Sequence, residues 1–342
     1  MTRLSDQEAL ELLGSRDLLG VGARAHEVRE RLVPGDEATF IVDRNINYTN
    51  VCVSGCRFCA FHCKPGSPDA WVLSREVIHA KIEETIALGG TAILMQGGLH
   101  PDLDVAWFED LFRSIKRDFP EITIHSLSAP EIVHIATLSG LTMPETLRRL
   151  HEAGLDSLPG GGAEILVDRV RRQVAPGKAN TAQWLVVMRE AHRQGIPATA
   201  TMMFGSVETL EERVEHLRVI RDLQDETGGF RAFIPWSFSS PRTALEGQTL
   251  PATGVDYLMT LAVSRLYLDN IPHIQASWVT QGLKMGQVAL RFGADDLGST
   301  MIEENVVTAT GLTVAANRDD LVYAIREAGF VPVQRRTDYS RV

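Results

Sequence analysis

Short runs of apolar and β-branched residues alternate along this chain with amphipathic helical stretches, and the alternation leaves few architectures open. Eight such runs are legible, at 41–48, 91–96, 123–128, 156–159, 198–204, 230–236, 273–278 and 297–302. Between the first two, Ser74 reads as a helix N-cap. Val77, Ile78, Ile82, Ile86 and Leu88 then form one apolar stripe before Gly89 and Gly90 stop the helix. Comparable helices are expected over 104–118, 143–153, 181–194, 208–226 and 254–270. Strands joined through helices run parallel, and eight strand–helix units suffice to close a barrel. The expected fold is therefore α/β, a (β/α)8 barrel over 38–310. A helical extension over 1–37, opened by the capping-box pair Ser5 and Glu8, precedes it, and a C-terminal helix and tail over 311–342 pack on it.

In such a barrel the loops at the carboxyl ends of the strands carry the chemistry. The residues that stand out chemically fall there repeatedly. Cys52, Cys56 and Cys59 follow the first run, Gln96 to His100 end the second, Ser126 and Ser128 end the third, and Glu164 follows the fourth. Phe204 to Glu208 end the fifth, Trp236 the sixth, Ser277 to Gln281 the seventh, and Glu303 to Asn305 the eighth. Any one of these placements is weak evidence; together they point to a common pocket.

The chain's four cysteines are Cys52, Cys56, Cys59 and Cys63. The first three, spaced x3 then x2 around the flexible Gly55, can converge on one centre. A [4Fe–4S] cluster held by three thiolates keeps one iron without a protein ligand, open to a small molecule. Two other readings use all four thiols: a structural zinc, although zinc loops ordinarily pair two distant C-x2-C elements, and a closed electron-transfer cluster. Disulfides are disfavoured by the crowding of all four cysteines into a dozen residues and by an amino terminus without a signal-like apolar stretch. A reducing cytoplasm is the expected setting.

The sequence Cys-x3-Cys-x-Phe-Cys resembles the signature of the radical S-adenosylmethionine (SAM) superfamily. The surrounding segments 44–52, 96–101, 159–165, 201–205 and 275–282 resemble one subgroup of it. That subgroup holds the cyclic dehypoxanthinyl futalosine synthases of menaquinone biosynthesis and their cousins, the aminofutalosine and deazaflavin F0 synthases. The likeness runs from about residue 40 to 310, with Cys63 standing where relatives are expected to carry another residue. It implies a [4Fe–4S] cluster on Cys52, Cys56 and Cys59 and SAM as the second cofactor. Gln96, Gly97 and Gly98 would meet the SAM amino group, Glu164 its ribose and Arg169 its carboxylate, while Phe58, Phe204 and Gly205 would border the adenine.

The resemblance further implies a small nucleoside substrate, an external one-electron donor such as flavodoxin or ferredoxin, and a cyclisation started at the ribose C4' hydrogen. Substrate contacts are expected among Asn45, Asn47, Tyr48, His100, Trp236, Ser277, Thr280 and Asn305. The proton acceptor is sought among His125, Glu303 and Glu304. A net charge of -10 with scattered basic residues argues against a nucleic-acid partner, and no apolar run reaches the ~20 residues needed to span a bilayer.

Overall fold

The computed structural model describes residues 3–312 and 315–342. Its strands are β1 (Glu37–Ile41), β2 (Asp43–Ile46), β3 (Ala92–Met95), β4 (Thr123–Ser126), β5 (Ala198–Phe204), β6 (Phe230–Ser237), β7 (His273–Ile274), β8 (Asp296–Ser299) and β9 (Val331–Gln334). Every pairing among them is parallel, in three sets ordered β8-β1-β9, β2-β3-β4 and β5-β6-β7. Three single bridges join the sets. His125 pairs with Ser157, Leu158 with Ala198, and Gln275 with Asp296. β1 runs into β2 through Val42 alone, so the ring of hydrogen bonds closes into a barrel.

Two of the expected runs take a different form. The fourth contributes only the bridging residues Ser157 and Leu158, because the chain turns at once through Pro159 and three glycines. The first is split at Val42, where its neighbours change: β1 lies between β8 and β9, whereas β2 pairs with β3. The strand β9 has no counterpart in the sequence reading. It follows the helix Arg318–Glu327 and lays the C-terminal tail along β1, so the tail is built into the barrel floor and does not simply pack on its outside.

The helices cover the outer face as the periodicity requires. Val105–Asp118, for example, buries Val105, Phe108, Leu111, Phe112 and Ile115. The loop after β4 carries two helices, Ala129–Ser139 and Met143–Ala153, of which only the second was legible from the apolar stripe. The extension forms Asp6–Leu13 and Leu18–Leu32; the second of these packs along Gly254–Tyr267. No described helix is long and apolar enough to cross a membrane.

Candidate active site

Inside the barrel, odd-numbered positions of the first strand point inward. Ile41, Asp43, Asn45 and Asn47 of the β1–β2 run line one cavity with Leu94 of β3 and Gln96 just after it, His125 of β4 and Thr199 and Thr201 of β5. The cavity measures about 410 Å³ and runs from the loops at the strand ends down to Arg335, Thr337 and Tyr339 of the tail.

At its mouth stand Cys52, Cys56 and Cys59; Cys63 does not line it. The Ser54 hydroxyl lies 2.9 Å from the Cys52 sulfur and 3.2 Å from that of Cys56, and the Leu99 amide donates to Cys52 Sγ at 3.2 Å. Cys63 holds the base of the loop through its backbone, accepting from the Cys52 amide and donating to the Asn50 carbonyl, both at 2.9 Å. Burial pushes the Cys56 thiol up to about 11, so its thiolate forms only against a compensating positive charge such as a metal centre. Three thiols on a loop held by amide and hydroxyl donors fit an iron–sulfur cube.

Two glycines explain how this loop is seated. A Cβ on Gly98 would come within 2.0 Å of the Val51 carbonyl oxygen, and one on Gly177 within 2.3 Å of the Ser54 carbonyl oxygen. The loop is thus clasped between the end of β3 and the segment after the short helix Asp168–Val174. Backbone bonds from Gly177 to Ser54 and from Arg57 to Val174 complete the clasp. That contact delivers Lys178, a residue the sequence reading passed over.

Lys178 Nζ donates to Glu164 at 2.8 Å and lies 5.0 Å from the centre of the Phe58 ring. Burial alone would lower its pKa, but the facing Cys56 and Glu164 hold it above the ordinary lysine value. Glu164 itself is 4% exposed and sits at a φ of 42°, a strained conformation held by Lys178, by Arg171 at 3.3 Å and by its own carbonyl, which accepts from the Met203 amide.

Several expected residues gather here. Phe58, Gln96, Gly97, Gly98 and Glu164 line the mouth; Asn45, Asn47, His125, Trp236, Ser277, Thr280 and Glu304 line the cavity. Asn305 stands just behind, donating to Asn47 at 3.1 Å.

Others are not brought together with them. Arg169 is exposed and paired with Glu212; Arg171, two residues on and one face round, takes the place beside Glu164. Phe204 is fully buried between Tyr257 and Arg213, and the Gly205 amide is taken by Glu208, so neither borders the cavity. Tyr48 occupies an even-numbered position of the first strand and points outward against Trp107 and Phe108, its hydroxyl donating to Glu131 at 2.7 Å. His100 lies outside as well, its carbonyl accepting from His134. Glu303 pairs with Lys81 on the outer side of the barrel.

Of the three sought proton acceptors, then, His125 and Glu304 face the cavity. Glu304 is engaged by the amides of Val306, Val307 and Thr308. Burial pushes the His125 imidazole down to about 3, which keeps it neutral and makes it a hydrogen-bonding group more than a base.

Residues 46–220 match the radical SAM superfamily and residues 227–342 the CofH/MqnC C-terminal region. The chain belongs to the radical SAM superfamily. Its relatives in that superfamily include the cyclic dehypoxanthine futalosine synthase of Streptomyces coelicolor, 48% identical over 99% of this chain and 86% of the relative. The enzyme of the same name from Halalkalibacterium halodurans is also 48% identical, over 98% and 91%. Among solved structures, the radical SAM barrel overlays on the FeFe-hydrogenase maturase HydG from Carboxydothermus hydrogenoformans with a TM-score of 0.79. That overlay covers 98% of this chain and 77% of the other at 16% identity, which is a likeness of fold. As a radical SAM protein the chain is an enzyme that works with a [4Fe–4S] cluster and SAM, and its cavity mouth carries three thiols with polar groups beside them.

Proposed function

We propose that this enzyme is the cyclase that converts dehypoxanthine futalosine to cyclic dehypoxanthine futalosine in menaquinone biosynthesis. The observation that carries the reading is the near-full-length 48% identity to two synthases of that name, joined to a mouth with three cavity-lining thiols. Cys52, Cys56 and Cys59 would hold the cluster, leaving one iron for SAM. Bound together, these cofactors supply a one-electron cleavage of the sulfonium whose deoxyadenosyl product takes the ribose C4' hydrogen of the substrate.

The protein's own part is binding, orientation and exclusion of water. Glu164, lining the mouth, would accept from the SAM ribose. Lys178, with Arg171 behind it, supplies the positive charge there that the exposed Arg169 does not. Gly97 and Gly98 would offer backbone groups to the amino end of SAM, and they are glycines because a side chain at either would strike Tyr48 or Val51. Below them Leu94, Ile234, Trp236 and Val279 give apolar walls for an aromatic ring, and a dry wall keeps a carbon radical from side reactions. The carbon radical would add to the neighbouring benzoate ring, which would then return one electron to the oxidised cluster and release one proton to a nearby acceptor. An external donor such as flavodoxin or ferredoxin would supply the initiating electron, and a reducing cytoplasm suits the free thiols.

Anaerobically reconstituted protein given dehypoxanthine futalosine, SAM and a reductant should yield a product lighter by two hydrogens, with methionine and deoxyadenosine formed alongside. Deoxyadenosine without any such product would overturn the substrate assignment.

A further inference from the structure

The lower half of the cavity differs in chemistry from its mouth and is not accounted for by cluster or SAM. Asp43 stands four residues before Asn47, roughly 13 Å down the barrel at 3.3 Å per residue. It is 8% exposed, and what is exposed faces the cavity. The Ser299 hydroxyl donates to its Oδ1, and among the described residues nothing donates to Oδ2.

Asn45, one inward position higher, is 6% exposed. Its Oδ1 is buried without a partner, and its amide makes no hydrogen bond to any described residue. His125 shares the level of Asn45, because Asn45 pairs with Leu94 and Leu94 with His125. Its Nδ1 is 2.7 Å from the Ser157 hydroxyl, leaving Nε2 for the cavity. Neighbouring strands lie ~4.8 Å apart, so Asn45 and His125 face the lumen about 10 Å apart across Leu94, with Asp43 beneath. Polar groups left unpaired against a cavity favour a ligand that supplies the missing partners, and here Asp43 offers an acceptor while the Asn45 amide and His125 Nε2 complete the set.

The charge of the floor selects what that ligand carries. Arg335, brought in by the tail, is the cation nearest Asp43, but it is already held by Asp296 through two bonds of 2.5 and 3.0 Å. An entering carboxylate would meet the Asp43 carboxylate, and Arg335, which lines the cavity beside it, is already committed to Asp296. Hydroxyl groups instead bring donors to carboxylate and amide oxygens without adding charge.

We propose that Asp43, Asn45 and His125 form a subsite for vicinal hydroxyls, in which the free Asp43 oxygen accepts from the sugar of the bound nucleoside. This rests on the nucleoside reading above, and it orients the substrate: the hydroxyl-bearing edge of the ribose points to the floor and the carboxylate of the ring stays clear of it. Holding that edge fixes which ribose hydrogen faces the mouth.

The test uses the cluster-loaded enzyme with SAM and no reductant, so that binding is measured without turnover. Equilibrium dialysis compares dehypoxanthine futalosine with its 2',3'-dideoxy counterpart, in wild type and in Asp43→Asn, which keeps the Ser299 bond but loses the charge. The wild type should bind the hydroxylated ligand at least tenfold more tightly. Asp43→Asn should remove most of that preference by weakening the hydroxylated ligand while leaving the dideoxy ligand unchanged. Equal weakening of both ligands, or of neither, would overturn the subsite. Asn45→Leu provides the second arm, and a loss confined to the hydroxylated ligand is expected again. A wild type that neither binds nor cyclises the nucleoside would instead sink the substrate reading on which the subsite rests.

Discussion

The mouth and the floor of the barrel are both polar, yet they are polar in opposite ways. At the mouth the groups are paired into a cradle: Ser54 touches two of the thiols, Lys178 holds Glu164, and glycine contacts lock the cysteine loop to its neighbours. At the floor one Asp43 oxygen and the Asn45 side-chain amide lack partners among the described residues, while the charge behind them is neutralised within the Arg335–Asp296 pair. A paired cradle suits cofactors present in every turnover. A floor with open hydrogen-bonding positions suits a substrate that enters and leaves.

The contrast breaks most visibly at the cysteines. Replacing Cys52, Cys56 or Cys59 with Ser should abolish the cluster's visible absorbance and all deoxyadenosine formation, whereas Cys63→Ser should retain both. At the floor the largest effect is structural. Arg335→Met leaves Asp296 buried without its partner and should cost about 3–5 kcal/mol in chemical denaturation. Lys178→Met comes next. It should raise the KM for SAM about tenfold at unchanged iron content, a separation that a mere folding defect would not give.

The smallest effect is in stability against pH. Burial pushes the Asp43 carboxyl up to about 6 from an ordinary 3.8, with the Ser299 bond and Arg335 opposing. An acid whose folded pKa is raised holds its proton more tightly when folded, so ionisation costs stability above about pH 6 and costs nothing below about pH 4. Asp43→Asn should therefore raise Tm by a few degrees at pH 7, with the difference gone at pH 4. An unchanged Tm at pH 7 would mean that the carboxylate is better solvated than its burial implies.

The mouth was far more legible in the sequence than the floor, for physical reasons. Cysteine spacing, glycine runs and strand-end positions are local, so Cys52, Cys56, Cys59, Gly97, Gly98 and Glu164 could be placed from their immediate neighbours. Inward and outward alternation was equally local but was not applied to Tyr48, whose even position sets it outside beside Asn45 and Asn47, which face in. Arg169 and Arg171 lie on one short helix, and which of them reaches Glu164 depends on how that helix is rotated against the barrel.

The floor depends on contacts of long sequence separation. Arg335 meets Asp296, and β9 meets β1 from the far end of the chain. No periodicity in the segment 331–334 announces that it will enter the barrel. Asp43 gave no signal because a single acidic residue in an apolar strand is an exception to the pattern, and such exceptions are where function tends to lie.

The chemistry at the mouth requires that three thiolates leave one iron open. Electron paramagnetic resonance of the reduced, reconstituted enzyme before and after adding SAM tests this directly, in the wild type and in Cys63→Ala. A SAM-dependent change in the cluster signal, the same in both proteins, is expected. A signal indifferent to SAM, or a cluster lost when Cys63 is replaced, would contradict it.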